Sequence, residues 1–246
     1  LSKKSKPRKR KTMDEFEADY DDVFYFIAGY TDGGAPYGLT WEEVVSQELQ
    51  FRPARKKEAK AVAELIHLAI GDIAEKLTGQ TKTDNIRETL ANFFREENNR
   101  LSHQNTMVAD IYDEAAGIVI TYPGEDAAML DEPILKRLRK KRRNEEIILD
   151  KEADEGDFYI DTLCVHERFR GCGIGTALIN QAEKIAKQKG YTRISLNVDR
   201  DNPSAKKLYK SLGYHEQKTI QIKGHPYDYM VKILDDIKDS KSEFPF

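Results

Sequence analysis

The stretch Arg168-Phe169-Arg170-Gly171-Cys172-Gly173-Ile174-Gly175 constrains this chain more than any other, because it joins a strand-like run to a strongly helical one. Phe158 to Val165 has the apolar, β-branched character of a strand, and Thr176 to Lys189 has the apolar spacing of a helix. A strand that empties into glycines and then a helix leaves several backbone N–H groups unpaired, all facing one way at the positive end of the helix dipole. Such a turn is a socket for an anion. Side chains at Gly171, Gly173 or Gly175 would hold a phosphate off the backbone, and a tight turn of this kind calls for φ > 0 at some of them.

The spacing selects among phosphate binders. A Walker loop ends in Gly-Lys-Ser/Thr, whereas Gly175 is followed by Thr176 and Ala177, so the lysine is missing. A dinucleotide fingerprint needs three glycines and an acidic residue about twenty positions on; Asp199 lies near that distance, which keeps this rival open. The run from Leu163-Cys164-Val165 to Gly175 resembles the acetyl-CoA-binding signature of the GNAT superfamily of N-acetyltransferases, Arg/Gln-x-x-Gly-x-Gly/Ala, with Arg170, Gly173 and Gly175 at its core positions. Downstream, Asn202-Pro203-Ser204-Ala205-Lys206-Lys207-Leu208-Tyr209-Lys210-Ser211-Leu212-Gly213-Tyr214 resembles the second signature of the same family, Asn-x-x-Ala-x-x-Leu-Tyr-x-x-x-Gly-Phe/Tyr. The two signatures stand in family order, and the resemblance covers roughly residues 47–235.

The resemblance implies an α/β GNAT fold, a mixed and mostly antiparallel central sheet of about six to seven strands with helices on both faces. It also implies acetyl-CoA as co-substrate, with no metal. Residues Arg170, Gly171, Cys172, Gly173, Ile174, Gly175 and Thr176 would take its pyrophosphate on their amides, and the Leu163, Cys164, Val165 edge would take the pantetheine arm as a pseudo-strand. In the family's arrangement an amide near Val165 faces the thioester carbonyl, and Asn202 caps a helix close to the cofactor. Glu167 replaces the proline frequent before the family's glycine loop; Arg168 and Arg170 are expected to offset its charge.

Acetyl transfer to an amine also needs proton handling. An alkylammonium with a pKa of about 10.4 is almost wholly protonated at pH 7, and a carboxylate, directly or through water, can take the proton. Asp161, flanked by Ile160 and Leu163 on the strand that reaches the cleft, is the candidate; Asp157 and Glu125 are runners-up, and a structural ion pair is the competing role for Asp161. Tyr209 falls where the family often places its general acid, and Ala205, Leu208, Tyr209 and Leu212 share one helical face, which also suits a packed core tyrosine. A phenol near pKa 10 protonating a thiolate near 8.5 runs uphill by about 2 kcal/mol in water, so the role requires a desolvated thiolate.

Around this centre the pattern is orderly. Thr40 followed by Glu43 starts a short helix; Leu49 to Ala54 is a strand, Lys57 to Thr78 one helix and Lys82 to Glu96 another. Thr106 to Tyr112 and Ala116 to Thr121 form a hairpin, Ile194 to Val198 a strand, and Tyr214 to Ile222 with Tyr227 to Leu234 a closing hairpin. An insertion at about 124–156 departs from a compact GNAT domain; it carries a helix beginning at Asp131-Glu132-Pro133 and a run of basic residues to Arg143. That insertion either walls the acceptor side of the cleft or is a solvated surface helix.

The 246 residues are divided into an N-terminal extension (1–46, charged, then aromatic and glycine-rich), the GNAT domain (47–235) and a polar tail (236–246). The net charge of −3 hides a basic block at Lys3–Lys11 and an acidic one at Asp14–Asp22, the pattern of solvated segments. Nucleic acid is an unfavoured partner, because the basic insertion lacks interleaved aromatics. No run approaches the roughly eighteen apolar residues of a membrane span, and the expectation is a cytoplasmic protein with a homodimer left open. Cys164 and Cys172 have no disulfide or metal-ligand framework around them; the electropositive turn could lower the Cys172 thiol pKa and make it a catalytic cysteine, but the loop's need for a small residue explains it without chemistry. The function expected is transfer of acetyl from acetyl-CoA to a primary amine of a small molecule or peptide, by direct attack in a ternary complex. The rival is a non-catalytic acyl-CoA sensor or interaction module using the aromatic segment Phe24 to Trp41.

Overall fold

A computed structural model describes residues 23–143 and 146–234. The charged blocks before residue 23 and the tail after 234 lie outside the described residues. Strands β1 (Phe24–Tyr30) and β2 (Pro36–Thr40) form an antiparallel hairpin of their own. Helix α1 (Trp41–Glu48) follows, started by the expected capping box: the Thr40 hydroxyl accepts from the Glu43 amide at 3.2 Å, and the Glu43 carboxylate accepts from the Thr40 amide at 2.9 Å.

The remaining strands are β3 (Gln50–Pro53), β4 (Thr106–Ile111), β5 (Glu114–Pro123), β6 (Phe158–Val165), β7 (Arg193–Asp199), β8 (His215–Ile222) and β9 (His225–Ile233). They make one seven-stranded sheet in the order β3-β4-β5-β6-β7-β9-β8, in which only the β6–β7 pair is parallel. The helices are α2 (Ala59–Ile70), α3 (Ile73–Thr78), α4 (Thr83–Arg95), α5 (Ala127–Arg142), α6 (Ile174–Gln188) and α7 (Pro203–Ser211). Alternation along β4 and β5 divides the core between two faces. Ala109 and Val119 pack with α1 and α6, while Val108 and Ile118 pack with α2, α4 and α5. Both faces are therefore covered, as expected of the fold.

Three boundaries differ from the sequence expectation. The helix expected over Lys57 to Thr78 is two helices, because Gly71 takes φ +50° and closes α2 with its amide on the His67 carbonyl at 3.0 Å. The apolar stripe carries across the break in Ala74 and Leu77, which hides it from periodicity. Helix α5 starts at Ala127, not at Asp131, and Pro133 lies inside it. Burial of Leu130, Ile134 and Leu138 along one face outweighs the lost hydrogen bond. Helix α6 starts at Ile174, so Gly175 and Thr176 belong to its first turn.

The aromatic N-terminal segment docks on its own chain through Tyr25, Leu39 and Trp41, while Phe26, Tyr30 and Tyr37 stay exposed. Trp41, 5% exposed, meets Tyr25 edge-on at 5.1 Å and Phe169 edge-on at 5.3 Å. Phe169 immediately precedes the glycine turn, so α1 braces the socket from behind.

Candidate active site

The turn after β6 has the geometry the glycines require. Gly171 and Gly173 stand at φ +82° and +78°, and a Cβ built on either meets nothing within 4 Å. Gly175 has no positive φ; its Cβ would touch Val165 Cγ2 at an ordinary 3.7 Å. The first bond of α6 runs from the Ala177 amide to the Gly173 carbonyl, so the amides of Ile174, Gly175 and Thr176 stand ahead of the helix ladder. Arg168 and Arg170 are exposed beside them, and neither is ion-paired among the described residues. Open space over Gly171 and Gly173, unspent amides and two cations suit an anion such as a diphosphate.

Next to the turn the sheet opens. Parallel pairing of β6 and β7 covers Phe158, Tyr159 and Ile160 against Ile194, Ser195 and Leu196, then stops. Beyond that point β6 continues against β5 alone and β7 against β9 alone. The edge of β6 from Asp161 to Val165 thus faces a wedge. Leu163 and Val165 lean toward the α6 side, whereas Cys164 points into the opposite core, where burial pushes its thiol up to about 11. Cys172 also has its thiol raised, by burial first and by Glu42 second, which reverses the lowering expected of an electropositive turn.

A cavity of 480 Å³ fills the wedge, and Asp161, Leu163, Asn202 and Tyr209 all line it. The Gly71–Asp72 break between α2 and α3 forms part of its wall. Tyr209 is half-buried, its phenol pushed up to about 12 by burial, so it holds its proton at neutral pH. Asn202 caps α7, its Oδ1 accepting from the Ala205 amide at 3.0 Å. Of the predicted site residues, Cys164, Val165 and Arg170 to Thr176 lie on the turn and strand edge outside the cavity lining.

Asp161 is heavily bonded in the cavity wall. Its carboxylate accepts from Arg100 Nε at 2.7 Å, from the Tyr122 hydroxyl at 2.5 Å and from the Thr162 hydroxyl at 2.8 Å. Arg100 is also held by Glu152 at 2.8 Å and Asp131 at 3.4 Å, so one buried guanidinium faces three carboxylates. Burial pushes Asp131 up to about 6, with Arg100 opposing and Glu152 and Asp161 adding to the rise. Asp131 belongs to α5 of the insertion and meets Arg100 from behind, without lining the cavity. Glu152, also from the insertion, lines the cavity directly.

The runners-up lie elsewhere. Asp157 is 1% exposed and bonded to Arg193 at 2.6 Å and to the Tyr229 hydroxyl at 2.7 Å. Glu125 accepts from the Tyr191 hydroxyl at 2.6 Å, on the rim of a different cavity of 400 Å³. Arg100 and Glu152 were invisible to pattern reasoning: both sit in polar stretches, Glu-Glu-Asn-Asn-Arg and Asp-Lys-Glu-Ala-Asp, that resemble solvated loops.

Comparison with known proteins agrees with the fold and the turn. The profile of the acetyltransferase (GNAT) family matches residues 72–214. A solved acetyltransferase is 34% identical, with a TM-score of 0.63, over 76% of this chain and 100% of that one. An N-acetyltransferase from Staphylococcus aureus Mu50 is 25% identical, with a TM-score of 0.65, over 74% and 99%. An uncharacterized N-acetyltransferase of Methanocaldococcus jannaschii is 42% identical over 62 residues, 25% of this chain and 27% of that one. The chain thus spans about a quarter of the length of that curated relative. A sheet that splays beside a glycine turn of free amides suits an extended ligand with an anionic group. Together with the family match, this places the chain in the GNAT family of acetyltransferases.

Proposed function

We propose that the protein transfers an acetyl group from acetyl-CoA to a primary amine by direct attack, with donor and acceptor bound together. One observation carries the reading: β6, which runs straight into the glycine turn, parts from β7 beyond Ile160, and its edge there lines a cavity that both Asp161 and Tyr209 share. Acetyl-CoA, when bound, supplies the acetyl thioester.

The protein's share is binding, orientation and proton handling. Amides from Gly171 to Thr176 hold the diphosphate at the positive end of α6. The unpaired edge at Leu163 to Val165 offers backbone donors and acceptors to an extended arm, and an amide near Val165 donates to the carbonyl oxygen where negative charge develops. Asp161 takes the amine's proton, directly or through water. Tyr209 Oη, protonated at pH 7, delivers a proton to the departing sulfur.

Two observations favour an enzyme over a binding module. Trp41, the anchor of the aromatic segment that would serve a partner, is spent on the chain's own Phe169, although Phe26, Tyr30 and Tyr37 stay exposed. The cavity is of the size that takes a small acceptor beside the thioester. Neither cysteine is an activated thiol, in keeping with transfer that forms no acyl-enzyme. The test is coenzyme A release from acetyl-CoA across a panel of amines, with calorimetric titration of acetyl-CoA alone. Binding and amine-dependent release are expected; binding with no release for any amine would restore the sensor reading.

A further inference from the structure

The wall of the 480 Å³ cavity is strongly and unevenly charged. Asp72, Glu152, Asp161, Asp199 and Asp201 line it, against the single cation Arg100. Arg100 is already shared by Glu152, Asp161 and Asp131, and Lys223 engages Asp72 at 2.5 Å from outside the lining. Carboxylates therefore remain in excess, in a concave site whose low-dielectric walls strengthen their field. Anionic acceptors are repelled from it.

A buried atom makes the same point independently. Asn197, another lining residue, donates through Nδ2 to the Glu152 carbonyl at 2.9 Å and to the Tyr159 hydroxyl at 2.8 Å. A carbonyl only accepts, so this bond fixes which end of the amide is nitrogen. Asn197 Oδ1 is left buried with no partner among the described residues. An unpaired acceptor on a residue of the cavity lining favours a ligand that brings a donor.

The rest of the lining suits an alkyl chain carrying ammonium groups. Tyr209 and Tyr227 contribute aromatic rings to it, and Ile70 and Ile73 aliphatic side chains. Resting on the acetyl-transfer reading above, we infer that the acceptor is a small linear aliphatic di- or polyamine. One nitrogen would be acetylated near Asp161, while a second, still protonated, is held by the Asp72, Asp199 and Asp201 side of the cavity and by Asn197 Oδ1. The amine's nitrogen forms the new amide bond as the thioester C–S bond breaks; the amine's proton passes to Asp161 and the departing sulfur takes one from Tyr209.

The experiment compares kcat/KM for a linear α,ω-diamine, a linear triamine, the n-alkylamine of matched length, the matched ω-amino acid and a lysine-containing peptide. The diamine and triamine are expected to exceed the monoamine by at least tenfold, with the ω-amino acid poorest and the margin shrinking at high salt. Asp72→Asn and Asp201→Asn, at exposed loop positions that leave the core untouched, are expected to narrow the diamine-to-monoamine ratio. Equal values for diamine and monoamine, or preference for the ω-amino acid or the peptide, would overturn this inference and leave acetyl transfer standing. No release with any amine by a chain that binds acetyl-CoA would overturn both.

Discussion

Arg100 Nε lies 2.7 Å from Asp161 Oδ2, and each of the two side chains is only 4% exposed. A buried pair of this kind adds little against an apolar replacement of both partners, but breaking it from one side strands a charge. Here Arg100→Met strands Asp161 and Glu152 together. The expected loss is about 3–5 kcal/mol in urea unfolding. A loss within about 0.5 kcal/mol would show that water reaches the pair and that the cavity wall is softer than the geometry implies.

Asp131 gives the stability a pH signature. Its carboxyl is raised from 3.8 to about 6, so the folded chain binds more protons than the unfolded chain across that interval. Stability from this group is therefore lost as pH rises from about 4 to 6, and above 6 the cost of the buried charge is complete. Asp131→Asn cannot titrate and should melt higher than the parent at pH 8, with the difference closing toward pH 4. A difference independent of pH would contradict the assignment.

Gly173 separates strain from occlusion. Alanine there must adopt φ +78°, at a cost of roughly 1–2 kcal/mol. Its methyl would also enter the open space in front of the turn, where nothing of the protein lies within 4 Å. Gly173→Ala should weaken acetyl-CoA binding by more than about tenfold in calorimetry at a temperature where the fold is intact. Unchanged affinity would mean that the diphosphate is held elsewhere.

Tyr209→Phe removes one oxygen from the cavity wall and leaves the packing of α7 in place. With the phenol pushed up to about 12, the tyrosine is a proton donor throughout the neutral range. Turnover should fall by about 10²-fold with acetyl-CoA affinity within about twofold. An unchanged rate would remove the acid role and leave Tyr209 as a packing residue beside Tyr214.

The parts legible in the sequence are those whose cause is local. Strand alternation in β4 to β7, the Thr40–Glu43 capping box, the Asn202 cap and the positive φ of Gly171 and Gly173 each follow from residues within a few positions. The break at Gly71 was masked because the apolar stripe runs on through it, and Pro133 misled because burial of Leu130, Ile134 and Leu138 overrides a helix rule. The ion cluster is of another kind. Arg100 meets Asp131, Glu152 and Asp161 only through tertiary packing, across sequence separations of 31, 52 and 61, and a lone arginine in a polar loop carries no local mark of burial. Asp161 was legible as a strand residue pointing at the cleft; its counter-ion was not.

The central claim is that the amides of Gly171 to Thr176 grip the coenzyme's diphosphate. A titration with coenzyme A followed by backbone amide NMR tests it most directly. The account predicts saturable shifts at Gly171, Cys172, Gly173, Ile174, Gly175 and Thr176, larger than those elsewhere in α6. Binding that left these six amides unmoved, or no binding at millimolar coenzyme, would contradict it.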